Sequence, residues 1–484
     1  MWQAQLDTDN GAVSADRAPL AGPFEHRIFL PATTDQAGLG MPGPSTHLVS
    51  LTRKHAFLGQ AWFRRVFEVG CAWMDHRVEL ELERVIWKSQ VWIDGHWIGS
   101  CDSLSTAHVF ELGVLSPGSH EIVICVDNRP LHNLGRTHAY IEETQTIWNG
   151  IAGRIELRAT PRVWIQSIRV ELDPAKAGAH VCLGNVSGKA GSGRLIGKLT
   201  GLDLSAEISA PVAWQAAGTT VGLKFCSSNL PLWSEFAANL CRLELVLETD
   251  SGWTHSREVV FGFRQIAAVG PSLQLNGVPL FLRGEHDGAS FPLSGHPPMD
   301  VDQWERVFRI LKQWGLNHLR FHSYCPPEAC FAAADREGIY LQAELPLWVG
   351  GLGAPGDESR MDWLRAEAAR IFDDYGNHPS LVLFSLANEL EGTYLFQQQL
   401  VREFKASDSR RLYTTCSNRL WVADAPEKSG RADRPPETDD SNLRRSHQQV
   451  RIFQKARAVW NQPGDLGRLS LGIRQSGQGR LHLH

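Results

Sequence analysis

"HPSLVLFSLANELEG", residues 378–392, carries an almost wholly apolar run from Leu381 to Leu386. That is the pattern of a strand buried on both faces, as in parallel sheets. The run ends in Ala387-Asn388-Glu389, so an amide and a carboxylate stand where a buried strand meets its loop. Such a pair either caps a following helix with a favourable dipole charge or does chemistry. The flanking sequence has to separate the two.

Working outward, strand and helix signals alternate. "PLFLRGEHD" (279–287) reads as a strand between turn residues. "VDQWERVFRILKQWG" (301–315) sets Trp304, Val307, Phe308, Leu311 and Trp314 on one helical face and stops at Gly315. Strands follow at 317–323, 338–346, 380–389 and 411–417, with helices near 327–337, 358–375 and 394–406 between them. This spacing predicts parallel β/α units of a (β/α)8 barrel. Arg283, Glu285, Arg320, His322, Glu344, Asn388 and Glu389 all fall at the predicted C-terminal strand ends, the active-site face of such a barrel.

Upstream of residue 270 the chain reads as β alone. Runs at 61–69, 77–85, 90–100, 120–128 and 153–159 are short and separated by turn chemistry, with Asp94-Gly95 a two-residue hairpin signal. Their density predicts a jelly-roll sandwich. A second block, with strands at 163–173, 193–201, 242–250 and 255–266, has the size of one immunoglobulin-like sandwich. From Ser429 onward the alternation stops and the composition turns basic, which reads as a disordered, solvated tail.

Bulk properties exclude several classes. The chain has 484 residues, 43% hydrophobic and 21% charged, so it is globular and multidomain. A net charge of −5 offers no basic face to nucleic acid or anionic lipid. No run approaches the ~20 apolar residues of a membrane span. The start, "MWQAQLDTDNG", lacks a signal-peptide pattern, which leaves the compartment open. The nine cysteines show no paired metal spacing, and Cys325 and Cys330 read as buried thiols. Seventeen tryptophans are a hint of sugar contacts without an address.

Taken in order, "AWFRRVFEV", "VWIDGHWIGS", "WNGIAGRIEL", "LPLWSEFAANL", "FGFRQI", "LNGVPLFLRG", "LNHLRFHSYCPPEACFAAADREGIYLQAELP" and "SLANE" resemble glycoside hydrolase family 2, which includes β-galactosidases, β-glucuronidases and β-mannosidases. The resemblance runs from about residue 5 to about residue 425. It implies a sugar-binding jelly roll over 1–162, an immunoglobulin-like sandwich over 163–268, and strands one to five of a TIM barrel over 269–425, with the atypical tail over 426–484. It also implies that Glu389 is the general acid/base and that Asn388 bonds the sugar's 2-hydroxyl. Arg320 would orient a carboxylate, and Arg283 would support the site from beneath. His322 is either a substrate-site or a structural histidine, and Glu344 either meets substrate or pairs with Arg320. No cofactor or metal is implied; the partner is a carbohydrate, and the full-length protein would be a homo-oligomer candidate.

One departure is large. The family's nucleophile is a glutamate ending strand seven, which at ~30 residues per unit belongs near residue 480. No glutamate follows Glu437, which sits in the loop-like "RPPETDD", and Asp465 in "NQPGDLG" is no strand end. The nucleophile is therefore unassigned. The barrel reads as cut after strand five, as a truncated gene or a shifted frame would leave it. The reading is a retaining exo-β-glycosidase in a form lacking its nucleophile. The alternative is a non-catalytic carbohydrate-binding protein using the jelly roll alone. An endo-acting glycanase is disfavoured by the two preceding β domains.

Overall fold

The computed structural model describes residues 1–7, 22–43, 51–225, 229–348, 351–353, 356–417, 421–422 and 480–482. The first sandwich packs a six-stranded antiparallel sheet (in spatial order His26–Ile28, Trp2–Asp7, Gln60–Val69, Gly118–Asp127, Lys88–Ile93, His96–Cys101) against a second sheet. That second sheet runs His108–Gly113, Arg77–Val85, Gly150–Thr160, Ala32–Thr33. Alternating side chains of both sheets, among them Phe63, Leu80, Leu82, Ile122, Ile124 and Ile155, fill the space between them. The hairpin at Asp94-Gly95 forms, with φ of 51° and 78°, the paired left-handed residues of a tight β-hairpin turn.

His108 lies wholly inside this sandwich, with Nδ1 2.6 Å from Ser89 Oγ and Nε2 2.8 Å from Ser103 O. Burial pushes its pKa down to about 4. A histidine with a depressed folded pKa contributes stability above its unfolded pKa of about 6.5 and loses it as pH falls toward the folded value. Urea unfolding of the wild type between pH 6.5 and 4.5 is therefore expected to lose up to about 1.4 kcal/mol per pH unit more than a His108→Gln variant. Parallel pH slopes for the two proteins would remove the argument.

The second, immunoglobulin-like sandwich sets a three-stranded sheet (Val163–Glu171, Gly178–Asn185, Thr219–Lys224) on a four-stranded one (Leu204–Trp214, Gly191–Gly201, Cys241–Thr249, Thr254–Phe261). Leu204–Trp214 has no counterpart among the sequence-predicted strands because Pro211 interrupts it. The strand lies at the sheet edge, where a missing N–H is tolerated.

The barrel portion has five parallel strands among the described residues: strand one Gly284–Asp287, two His318–Phe321, three Tyr340–Glu344, four Leu381–Ala387 and five Leu412–Cys416. Helices α1 (Val301–Gln313), α2 (Glu328–Glu337), α3 (Glu358–Tyr375) and α4 (Tyr394–Ser407) lie between or beside them in sequence. Asp300 caps α1 through Gln303 N at 2.9 Å, and Gly315, with φ of 74°, follows the helix end. Trp304, Phe308 and Leu311 face the core, but Trp314 is 77% exposed. It sits at the C-cap, where the helical face no longer dictates its direction. Strand four is buried along its whole length, as its apolar run requires.

"PLFLRG" is not a barrel strand. Val278–Leu280 pairs antiparallel with Ser272–Leu275, which pairs with Ile266–Val269. The chain enters the barrel only at Gly284. Side chains of this small sheet (Leu273, Leu275, Leu280) pack with Trp233, Tyr340, Val382, Leu383 and Leu412 and so floor the barrel at its N-terminal end.

The tail expected over 426–484 lies outside the described residues, except for Arg480–His482, which pair antiparallel with Glu156–Arg158. Among the described residues no helix is long and apolar enough to cross a membrane.

Candidate active site

The C-terminal ends of strands two, three and four bring five of the sequence-predicted groups together. Asn388 and Glu389 follow strand four directly. Asn388 is buried, and its Oδ1 accepts a hydrogen bond from Arg320 Nη2 at 2.7 Å. Arg320, on strand two, also donates Nε to Glu344 Oε1 at 2.8 Å. Glu344, ending strand three, has no exposed surface and accepts further bonds from Ser385 Oγ at 3.0 Å and from Ser417 Oγ. This corrects the placement of Glu344 among groups that touch substrate: it lies behind Arg320 and holds it. Low local dielectric strengthens such a chain of bonds. The carboxylate orients the guanidinium, and the guanidinium orients the Asn388 amide.

Glu389 has φ of 49°, a left-handed conformation that costs a non-glycine residue about 1 kcal/mol or more. Its Oε2 accepts a hydrogen bond from Trp348 Nε1 at 3.0 Å. Backbone strain and a side-chain anchor at one residue are common where a side chain must be aimed.

His322 follows strand two and stands edge-on to Trp348, ring centroids 4.6 Å apart at 90°. It also lies 4.6 Å from the His138 ring and 5.9 Å from His286. Burial, then Arg320 and the two neighbouring histidines, hold its pKa far below the usual imidazole range, so it is neutral. Among the described residues no group of three or more His, Cys, Asp or Glu side chains is arranged to hold a metal ion. At the end of strand one, Asp287 is partly buried. Its Oδ1 accepts Tyr324 Oη at 2.9 Å and Ala289 N at 2.7 Å, and burial raises its pKa.

Arg283 is a correction. It precedes strand one and therefore lies at the opposite, N-terminal end of the barrel, where Nε donates to Gly315 O at 2.7 Å and Nη2 meets Glu235 Oε2 at 3.1 Å. The expectation failed because strand one was read as starting at Pro279, several residues too early. Arg283 ties the floor loop to the barrel and does not approach Glu389.

Two residues of the site had no place in the sequence reading, Trp348 and His138. Trp348 is the last residue of "LPLW" after strand three. His138 comes from the first sandwich, in the connection 128–149 between strands Gly118–Asp127 and Gly150–Thr160. A connection longer than ~15 residues inside a compact domain is often functional, and that length was the one available signal.

Residues 268–429 match the family model for "Glycosyl hydrolases family 2, TIM barrel domain". The chain is 27% identical over 371 residues to a β-galactosidase 2 of Enterobacter cloacae, covering 71% of this chain and 35% of that protein. It thus spans about a third of the length of the curated relatives it matches. Among solved structures it is similar to Bacteroides uniformis β-glucuronidase 2 covalently bound to cyclophellitol-6-carboxylate aziridine, with TM-score 0.67, 19% identity, and coverage of 86% of this chain and 51% of that one. It is also similar to a GH2 β-galacturonidase of Eisenbergiella tayi bound to galacturonate, with TM-score 0.65, 18% identity, and coverage of 86% and 69%. At these identities the structures establish the fold. Sandwich, sandwich and barrel, with an Asn-Glu pair ending strand four, define a multidomain glycosidase architecture. The barrel portion, residues 268–429, is a glycoside hydrolase family 2 domain, and the chain as a whole is similar to proteins of that family.

Proposed function

We propose that this chain carries the acid/base half of a retaining exo-β-glycosidase site, with Glu389 as general acid/base and Asn388 bonding the sugar's 2-hydroxyl. The observation that carries the reading is the Asn388-Glu389 pair at the C-terminal end of buried strand four, with Asn388 held by Arg320. A glycosidic oxygen is a poor leaving group unless protonated, so a carboxyl aimed from a strand end suits the first step. The names of the relatives support a β-galactoside, a β-glucuronide or a related β-glycoside as substrate.

A retaining mechanism needs a second carboxylate about 5–5.5 Å from the first, acting as nucleophile. The family expectation puts it on a glutamate ending strand seven, and no glutamate follows Glu437 in the 484 residues. The 484-residue chain is therefore expected to give little or no turnover of aryl β-glycosides, because no glycosyl-enzyme intermediate forms. It should still bind sugar 1,5-lactones, whose flattened C1 resembles the oxocarbenium-like transition state. Calorimetric titration with galactono-, glucono- and glucuronolactone is expected to find one configuration bound. Asn388→Ala should weaken that binding about tenfold, the worth of one hydrogen bond. Lactone binding indifferent to both Asn388→Ala and Glu389→Gln would move the sugar site to the jelly roll. Robust hydrolysis abolished by Glu389→Gln would mean that the chain supplies its own nucleophile.

A further inference from the structure

We propose that Trp348, held in place by residues 134–138 of the first sandwich, is a positioning residue for Glu389. The proposal rests on Glu389 being the acid/base, and its geometry crosses from one fold unit to another.

Trp348 is fixed first through its backbone. Its N–H donates to Leu134 O at 3.2 Å, and its carbonyl accepts Arg136 N at 3.0 Å. It forms parallel bridges with Gly135 on one side and Asn388 on the other, and Asn388 N donates to Leu347 O at 3.3 Å. A short segment of the first sandwich thus lies beside residues 347–348, which lie beside the residue preceding Glu389.

The ring is fixed as well. His322 and His138 meet it edge-on, at centroid distances of 4.6 and 5.2 Å, and the Arg136 guanidinium lies 5.4 Å from its centroid. His138 is itself anchored to the strand-two loop, with Nδ1 2.9 Å from His322 O and its backbone N 3.2 Å from Ser323 Oγ. Thr137 Oγ1 donates to Ser323 O at 2.7 Å. An indole clamped on this many sides has one direction left for its N–H, and that direction is Glu389 Oε2.

A glutamate side chain has three rotatable bonds, and productive acid/base chemistry tolerates only about 0.5 Å and 10–20° of misplacement. The left-handed backbone at Glu389 sets where the side chain starts, and the indole N–H sets where one carboxylate oxygen ends. A tryptophan serving only as filler would gain nothing from aiming its donor at a carboxylate. Charge-assisted bonds of this kind are also the stronger ones.

The test is a spectroscopic one on the full chain, labelled with [15N-indole]tryptophan. Among the signals of seventeen tryptophans, that of Trp348 is the one missing from Trp348→Phe. Glu389→Gln replaces a charged acceptor by a neutral one and should move the Trp348 indole proton upfield while leaving that of the distant Trp253 in place. His138→Ala should move the same signal in the same direction, because the clamp loosens, and His138→Asn serves if the alanine variant melts lower than wild type. An unchanged Trp348 signal in Glu389→Gln would show that the bond is absent in solution. A shift in Glu389→Gln with none in either His138 variant would show that the first sandwich does not set it. Either result overturns the proposal without touching lactone binding, which tests the acid/base reading separately.

Discussion

Replacing Arg264 with alanine is expected to destabilise the docking of barrel on sandwich by about 3–5 kcal/mol. Arg264 closes "FGFR" at the end of the second sandwich and is 2% exposed. Its Nε donates to Pro379 O at 2.9 Å and Nη2 to Leu381 O at 2.9 Å, and Nη1 donates to Arg410 O. One side chain thus satisfies three buried carbonyls at the entries to strands four and five. A buried carbonyl left without a donor costs about 1–3 kcal/mol, and the lost side-chain volume adds a cavity. Burial, then Arg411 and Arg410, push the guanidinium's pKa down, so its charge is held against a penalty that the three carbonyls offset. Limited proteolysis reads the result: Arg264→Ala should accelerate cleavage beyond about residue 265 and leave a resistant fragment of both sandwiches. Cleavage at the wild-type rate would show that the carbonyls find other partners.

Arg320→Leu is expected to cost a similar amount, about 3–5 kcal/mol, for a different reason. The substitution strands the Glu344 carboxylate, which has no exposed surface and whose Oε2 already lacks a hydrogen-bond partner among the described residues. It also removes the donor that holds the Asn388 amide. Removing one partner of a buried ion pair costs more than removing both, so the double variant Arg320→Leu/Glu344→Leu should recover a large part of the loss. Urea unfolding of the four proteins in this cycle gives the coupling directly. Additive losses would mean that the two groups do not depend on each other.

The elements of the barrel were legible because their signals are local. Strand four is an unbroken apolar run, and α1 has a cap, one apolar face and a terminal glycine. Within the site, Asn388, Glu389 and Arg320 follow from strand ends. The errors arose where a local signal had two uses. "PLFL" has strand chemistry, but it serves the floor sheet, so Arg283 moved to the other end of the barrel. Glu344 looked like a rim carboxylate, and only the packing of strands two to four reveals that it is enclosed. His138 left no signal beyond the length of its connection, because a contact between residues 138 and 322 across two fold units leaves no periodicity in either segment.

The floor of the barrel has a consequence for how the chain is made. Trp233 donates Nε1 to Asp335 O at 2.8 Å, and Glu235 meets both Asn317 and Arg283, so this sandwich loop is shaped to the underside of strands that follow it by roughly a hundred residues. Chains emerge from the ribosome N-terminus first, and domains tend to fold as they appear. When strands three and four leave the exit tunnel, the surface they dock on already exists. The second sandwich then acts as a mould, and each arriving β/α unit has an apolar seat before it has a neighbour.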